Sequence, residues 1–119
     1  MTTMLVAACS RGPLRVSTIQ LGRALGSDNS IATHTTTFKP DETVYVSVLT
    51  EETGAGSITA RWMIGSQKVS EETKDVSYSG AAATEFHLQS ADRFPPGQYT
   101  VEILVDGQAI GERTFRVSE

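Results

Sequence analysis

From Val16 onward, apolar and polar residues trade places with a period of two, interrupted by glycine, proline and short acidic runs. That period sends successive side chains to opposite faces of an extended chain, so each alternating run predicts a half-buried β-strand. Val16–Leu21 is the first, ended by Gly22, and Arg23–Ser30 carries turn residues throughout. Ile31–Phe38 is threonine-rich and extended in preference, and Lys39-Pro40-Asp41-Glu42 makes a turn with proline in a favoured position. Between Thr43 and Thr50, Val44, Val46 and Val48 share one face while Tyr45, Ser47 and Leu49 share the other. Glu51–Gly56, with its glycines and acids, reads as an exposed loop. Ile58, Ala60, Trp62 and Ile64 then alternate with Thr59, Arg61 and Met63. Gly65-Ser66-Gln67 is a hairpin tip leading into Lys68–Val76, whose charges and few apolar residues mark a sheet edge.

The C-terminal third is the clearest. Thr84, Phe86 and Leu88 alternate with Glu85, His87 and Gln89, Pro95-Pro96-Gly97 is a stiff turn, and Tyr99, Val101, Ile103 and Val105 form the best-defined strand. Asp106-Gly107 supplies the positive φ angles of a two-residue type I′ hairpin. The return strand, Gln108–Val117, turns Phe115 and Val117 inward, and its phase shifts near Ala109-Ile110-Gly111, predicting a bulge at Gly111. No run of ten or more residues carries a convincing helical stripe. Seven or eight antiparallel strands spaced by turns predict an all-β sandwich occupying residues 15–119.

Composition narrows the class of protein. Hydrophobic residues are 39% and charged residues 20% of the 119, a balance for a folded domain rather than a disordered or membrane-embedded chain. Fourteen acids against ten scattered Lys and Arg give a net charge of −4, which argues against a nucleic-acid partner needing a clustered basic face. The single cysteine, Cys9, excludes an internal disulfide.

Two sets of residues resemble the immunoglobulin-like superfold. Trp62 stands where such domains carry a buried tryptophan on the third strand, and Asp92–Tyr99 is similar to the turn that builds a tyrosine corner. Both inter-sheet cysteines of antibody domains are missing, as in fibronectin type III-like and bacterial immunoglobulin-like domains. Phe38–Val48 and the terminal hairpin also look like uncharacterised bacterial secreted or lipoprotein domains. The resemblance implies a fold and no activity, because this architecture hosts many functions.

Residues 1–14 lack alternation and read as leader and linker. Within them Met4-Leu5-Val6-Ala7-Ala8-Cys9-Ser10 resembles the lipobox of bacterial lipoproteins, where small residues precede a cysteine that becomes lipidated. Only eight residues precede Cys9, too few for a charged region and a full apolar region, so a true start further upstream or a short strand with a chance cysteine are the competing readings. No stretch reaches the ~20 apolar residues of a spanning helix, so membrane attachment would be through lipid on Cys9 alone.

Candidate chemistry is sparse. His34 and His87 fall on outward phases, without HxH or HExxH spacing, and no serine sits in a nucleophile elbow. The acids Asp41-Glu42, Glu51-Glu52, Glu71-Glu72 and Asp75 match no calcium loop. No catalytic residue, metal ligand, cofactor site or small-molecule substrate is expected, and a ligand carrier or enzyme using His34 or His87 is the least supported reading. What stands out is apolar residues on outward phases: Tyr45 and Leu49, with Met63 opposite Trp62, would form a protein-contact patch if their strands are neighbours in one sheet. The expected function is a non-enzymatic binding or structural module of the bacterial cell envelope. The alternative is an accessory or inhibitor domain engaging another protein through loops or a sheet edge.

Overall fold

The computed structural model describes residues 13–89 and 93–119. In these residues the alternating runs form nine strands: β1 (Val16–Leu25), β2 (Ile31–His34), β3 (Thr37–Phe38), β4 (Val44–Thr50), β5 (Gly54–Ile64), β6 (Gln67–Tyr78), β7 (Ala82–Leu88), β8 (Gly97–Val105) and β9 (Gln108–Val117). They make two facing sheets, one in the order β2-β1-β4-β7 and the other β3-β9-β8-β5-β6. Seven strands are long and antiparallel to their neighbours. β2 and β3 are short additions, and β3 runs parallel to β9 for two residues.

The inward phases meet as the alternation requires. Val44, Val46, Val48 and Phe86 from one sheet face Ile58, Trp62, Val101 and Ile103 from the other, none more than 1% exposed. Each such side chain stabilises the fold by about 1.5–3 kcal/mol through its removal from water. Phe115 gathers the aromatic end of this core. Its ring stacks on Tyr99 at 5.3 Å and meets the edges of Phe38 and Trp62 at 5.4 and 6.0 Å, separations typical of stabilising aromatic pairs.

The corner ahead of β8 is a tyrosine corner. The Tyr99 hydroxyl donates to the Pro95 carbonyl at 2.7 Å, and the Phe94 amide donates to Pro40 O at 2.8 Å, tying the corner to the turn before β4. Burial pushes the Tyr99 phenol above its ordinary pKa, which keeps it a donor. At the far end, Asp106 and Gly107 adopt φ of 52° and 84°, the type I′ turn expected of that pair. The register then slips between Ile103 and Leu104, which face Gly111 and Ala109. Ile110 is therefore the extra residue of the bulge, and Gly111 is paired.

Three segments depart from the reading of the sequence. β1 does not end at Gly22 but continues to Leu25, with β2 folded back over the outer face of its sheet. A Cβ at Gly22 would lie 2.1 Å from Thr33 O and 2.4 Å from Ile31 Cγ2, so glycine is what allows the hairpin to approach. Under that flap Ile31 is buried outside the main core, and Ser47, though on an outward phase, is fully buried and donates to Asn29 O at 2.8 Å. β5 starts at Gly54, inside the expected loop, because Gly54–Gly56 pair with Val76–Tyr78 of β6. Packing also begins before residue 15: Leu14 is buried in the core, and Pro13 bridges Ala55.

Replacing Gly22 by valine forces the flap off the sheet. The expected loss is about 1–3 kcal/mol of unfolding free energy in urea titration, with faster hydrogen exchange at Thr33 and Ile31. Tyr99→Phe removes one hydrogen bond and costs about 0.5–1.5 kcal/mol; an unchanged urea midpoint would show that the corner hydroxyl contributes nothing.

Candidate interaction surface

A two-sheet sandwich has two open sides, and here they are closed differently. On one side β6 faces β7. Lys74 shares the inward phase of Val76 and Tyr78, and its Nζ lies 5.0 Å from the centre of the Phe86 ring and donates to Glu85 O at 2.6 Å. Tyr78 adds a hydroxyl contact to Thr84 Oγ1 at 2.7 Å. The lysine closes this side around Phe86, while nearer the tyrosine corner a smaller groove of about 350 Å³ opens between Val69 of β6 and Leu88 of β7.

On the other side β1 faces β9. β1 pairs with β4 along its first half but with β2 only from Gly22 onward. β9 pairs with β3 only at Arg116 and Val117. Among the described residues, no strand therefore covers the outer edge of β1 over Val16–Leu21 or of β9 over Gln108–Thr114. The gap is a groove of about 460 Å³ walled by Leu14, Val16, Ile19 and Ile110. Ile110, the bulged residue, is 43% exposed. Arg113 crosses the middle, with Nε donating to Ile19 O at 3.1 Å and Nη1 to Glu112 O at 2.8 Å. One side chain bridges two edges where a strand would otherwise lie.

The structure separates the residues expected to form one contact patch. Tyr45 and Leu49 lie on the outer face of the four-stranded sheet, whereas Met63 is on β5 in the other sheet and faces the opposite way. Tyr45 and Leu49 are themselves divided by the β1–β2 flap. Leu49 floors a shallow groove between Asp28 and Ala83, and Tyr45 packs on His87 at 5.8 Å. Cys9 lies outside the described residues.

The two histidines sit on opposite edge strands of one sheet, His34 on β2 and His87 on β7, and both are exposed. Of the acids noted in the sequence, Glu71 and Asp75 are paired on the outer face of the five-stranded sheet, and Glu42 and Glu52 meet Arg23 and Arg15 elsewhere. Arg61 lies between Glu71 and Glu102 at 3.2 and 3.0 Å, and Lys68 reaches Glu71 at 3.1 Å, while Asp75 accepts from the Ser57 hydroxyl. Among the described residues no group of three or more His, Cys, Asp or Glu could hold a metal ion, and no helix is long and apolar enough to cross a membrane.

The groove between β1 and β9 escaped the sequence reading because strand pairing is a long-range property. Two signals pointed to it: the phase shift at Ile110, and Arg113 on the inward phase of Phe115 and Val117.

These sheets, the buried Trp62 and the tyrosine corner define an immunoglobulin-like β-sandwich. A solved immunoglobulin-like protein from Pseudomonas aeruginosa shares the fold at a TM-score of 0.64 and 13% identity, over 92% of this chain and 99% of its own. Residues 23–118 match the model of a domain of unknown function, DUF8428, and the chain belongs to that family. The alkylpurine DNA glycosylase AlkC of Pseudomonas fluorescens, solved bound to DNA containing an abasic-site analogue, matches 98% of the chain at a TM-score of 0.59 and 13% identity. A β-glucosidase from Listeria innocua matches 86% at 0.55 and 10% identity. The chain spans only 33% and 16% of those two enzymes. At such identities the likeness is one of fold. No curated protein sequence matches the chain.

Glu85 gives the surface a pH-dependent contribution. Burial disfavours its charge, but His87 at 3.0 Å and Lys74 at 3.3 Å outweigh that and hold the carboxyl below its ordinary value. A carboxylate with a depressed folded pKa stabilises the fold above its unfolded value and loses that contribution as pH falls through the folded one. Glu85→Gln is expected to lower stability near neutral pH and to flatten its decline in urea titrations between about pH 6 and 3.

Proposed function

We propose that this domain is a non-enzymatic protein-binding module of the bacterial cell envelope, tethered through lipid on Cys9 and engaging its partner at the open β1/β9 side. The observation that carries the binding reading is the unpaired edge of β9 beside the half-exposed Ile110. A free strand edge offers a row of backbone donors and acceptors, and an adjacent apolar side chain offers contact area, which together favour association with another polypeptide. The envelope reading is supported by the small-residue pattern Val6-Ala7-Ala8-Cys9. A catalytic role finds no support in the described side chains, where neither exposed histidine is placed beside a serine, cysteine or threonine nucleophile oriented for attack.

A second reading keeps the contact and changes the context. Sandwiches of this fold make up a third of the DNA glycosylase and about a sixth of the β-glucosidase, so the same edge would serve an accessory domain packed against a larger enzyme.

Two experiments separate these. Expressed from its full-length gene in its native host, the protein should incorporate an alkyne-tagged fatty acid, and Cys9→Ser should abolish the label. An unlabelled product that retains residues 1–8 would overturn the lipoprotein reading. A photo-crosslinking residue at position 110 should trap one protein as a discrete adduct while the same residue at position 63 traps none. Adducts from position 63 alone would refute the β9 edge as the contact.

A further inference from the structure

Arg113 stands in the β1/β9 groove with most of its hydrogen-bonding capacity unspent. A guanidinium carries five N–H donors, and here one on Nε and one on Nη1 are used, both on backbone carbonyls. Among the described residues no carboxylate lies within ion-pair distance of it, although Arg15, Arg23, Arg61 and Arg93 each have one. With the Nε hydrogen and one Nη1 hydrogen used, both Nη2 hydrogens and the second Nη1 hydrogen are left, enough to meet the two oxygens of a carboxylate.

The surroundings specify what bears that carboxylate. On one side of Arg113 the groove is mixed in lining: Leu14, Val16, Ile19 and Ile110 form an apolar strip, with Thr18 and Asp106 beside it. The β9 lip presents backbone. The amides of Arg116 and Ser118 donate away from β8, to Thr36 O and Phe38 O. Strand alternation therefore turns Glu112 and Thr114 to the same outer side, where no strand meets them among the described residues. An apolar strip, a lip of outward backbone amides and a cation with free donors at its end fit one kind of occupant.

We infer that the groove binds the carboxyl-terminal segment of an extended apolar peptide, its backbone added to the free edge of β9 and its terminal carboxylate held by Arg113. This rests on the binding reading above and names the partner's chemistry. One apolar side chain of the segment lies against Ile19 and Ile110. The bulge at Ile110 serves the contact by turning an isoleucine into the trough on a strand whose neighbouring residues face solvent.

The test uses the full chain and a nine-residue peptide of alternating valine and threonine, made once with a free terminal carboxylate and once as the amide, titrated by NMR. The expected result is a shift of the Glu112 amide and of the Ile19 and Ile110 methyl groups, slower hydrogen exchange at Glu112, and about tenfold tighter binding of the acid than of the amide. Arg113→Gln should erase the acid preference and Arg113→Lys should keep part of it. Ile110→Asp should weaken both peptides, with the folded fraction of each variant read from its Trp62 fluorescence. Equal binding of acid and amide at the β9 edge overturns the carboxylate anchor while the protein-binding reading stands. No shift at millimolar peptide, shifts confined to β2 or β6, or a dimer in sedimentation that closes the groove with a second copy each overturn the inference as a whole.

Discussion

Phe115 is the contact on which the rest of the domain leans. It sits near the end of the last strand, yet its ring touches Phe38, Trp62 and Tyr99, which reach it from β3, β5 and β8. Those contacts join strands separated by most of the chain, so they form only when both sheets and the terminal hairpin are in register. They also commit the large aromatics: Trp62 and Tyr99 are 1% and 2% exposed, which removes them as platforms for a sugar or a base. A domain of this size needs such a core, since it has no disulfide to shorten its unfolded chain.

Packing two sheets face to face leaves the sides as the places where the fold has a choice. The β6/β7 side is bridged by Lys74, whose ammonium lies over Phe86 and caps an edge carbonyl. On the β1/β9 side Thr35 and Thr36 link Leu21 to Arg116, and beyond them, among the described residues, Arg113 spans the gap. Both are long cations on inward phases, and both keep their charge at the rim while their carbons cover the core. They differ in what they leave behind. Lys74 also meets the Glu85 carboxylate, so its charge is compensated, whereas Arg113 is held only by carbonyl dipoles.

Most of the fold was legible because a strand with one wet face writes its burial into alternate residues. Val44, Val46 and Val48, the Asp106-Gly107 turn and the corner at Tyr99 all follow from local rules, and each lies where those rules put it. The misreadings share one cause. Gly22 and Gly54 look like breaks in isolation, but each is a place where another segment comes too near for a Cβ, Thr33 in one case and Pro13 in the other. Met63 was grouped with Tyr45 on phase alone, and phase does not say which sheet a strand joins. The β1/β9 groove was the hardest to foresee, since it is made by pairings that stop short. Only an arginine among inward hydrophobics and an isoleucine out of phase betrayed it.

Comparing the edges shows why that groove is the one to explain. β6 is long, but it is rich in Lys and Glu, and an antiparallel second copy centred on Thr73 would set Glu71 against Asp75. That is how an edge resists pairing. β7 is covered by Lys74, and β2 and β3 have four and two residues, too few for a stable ladder. The upper half of β9 is guarded more lightly, by Glu112 and by Arg113 on the Glu112 carbonyl. Ahead of them it carries Ala109 and Ile110, and its bulge, which elsewhere would twist an edge away, here turns an isoleucine into the groove. A lightly guarded edge with a 43% exposed isoleucine beside it is the feature on which the proposed contact rests.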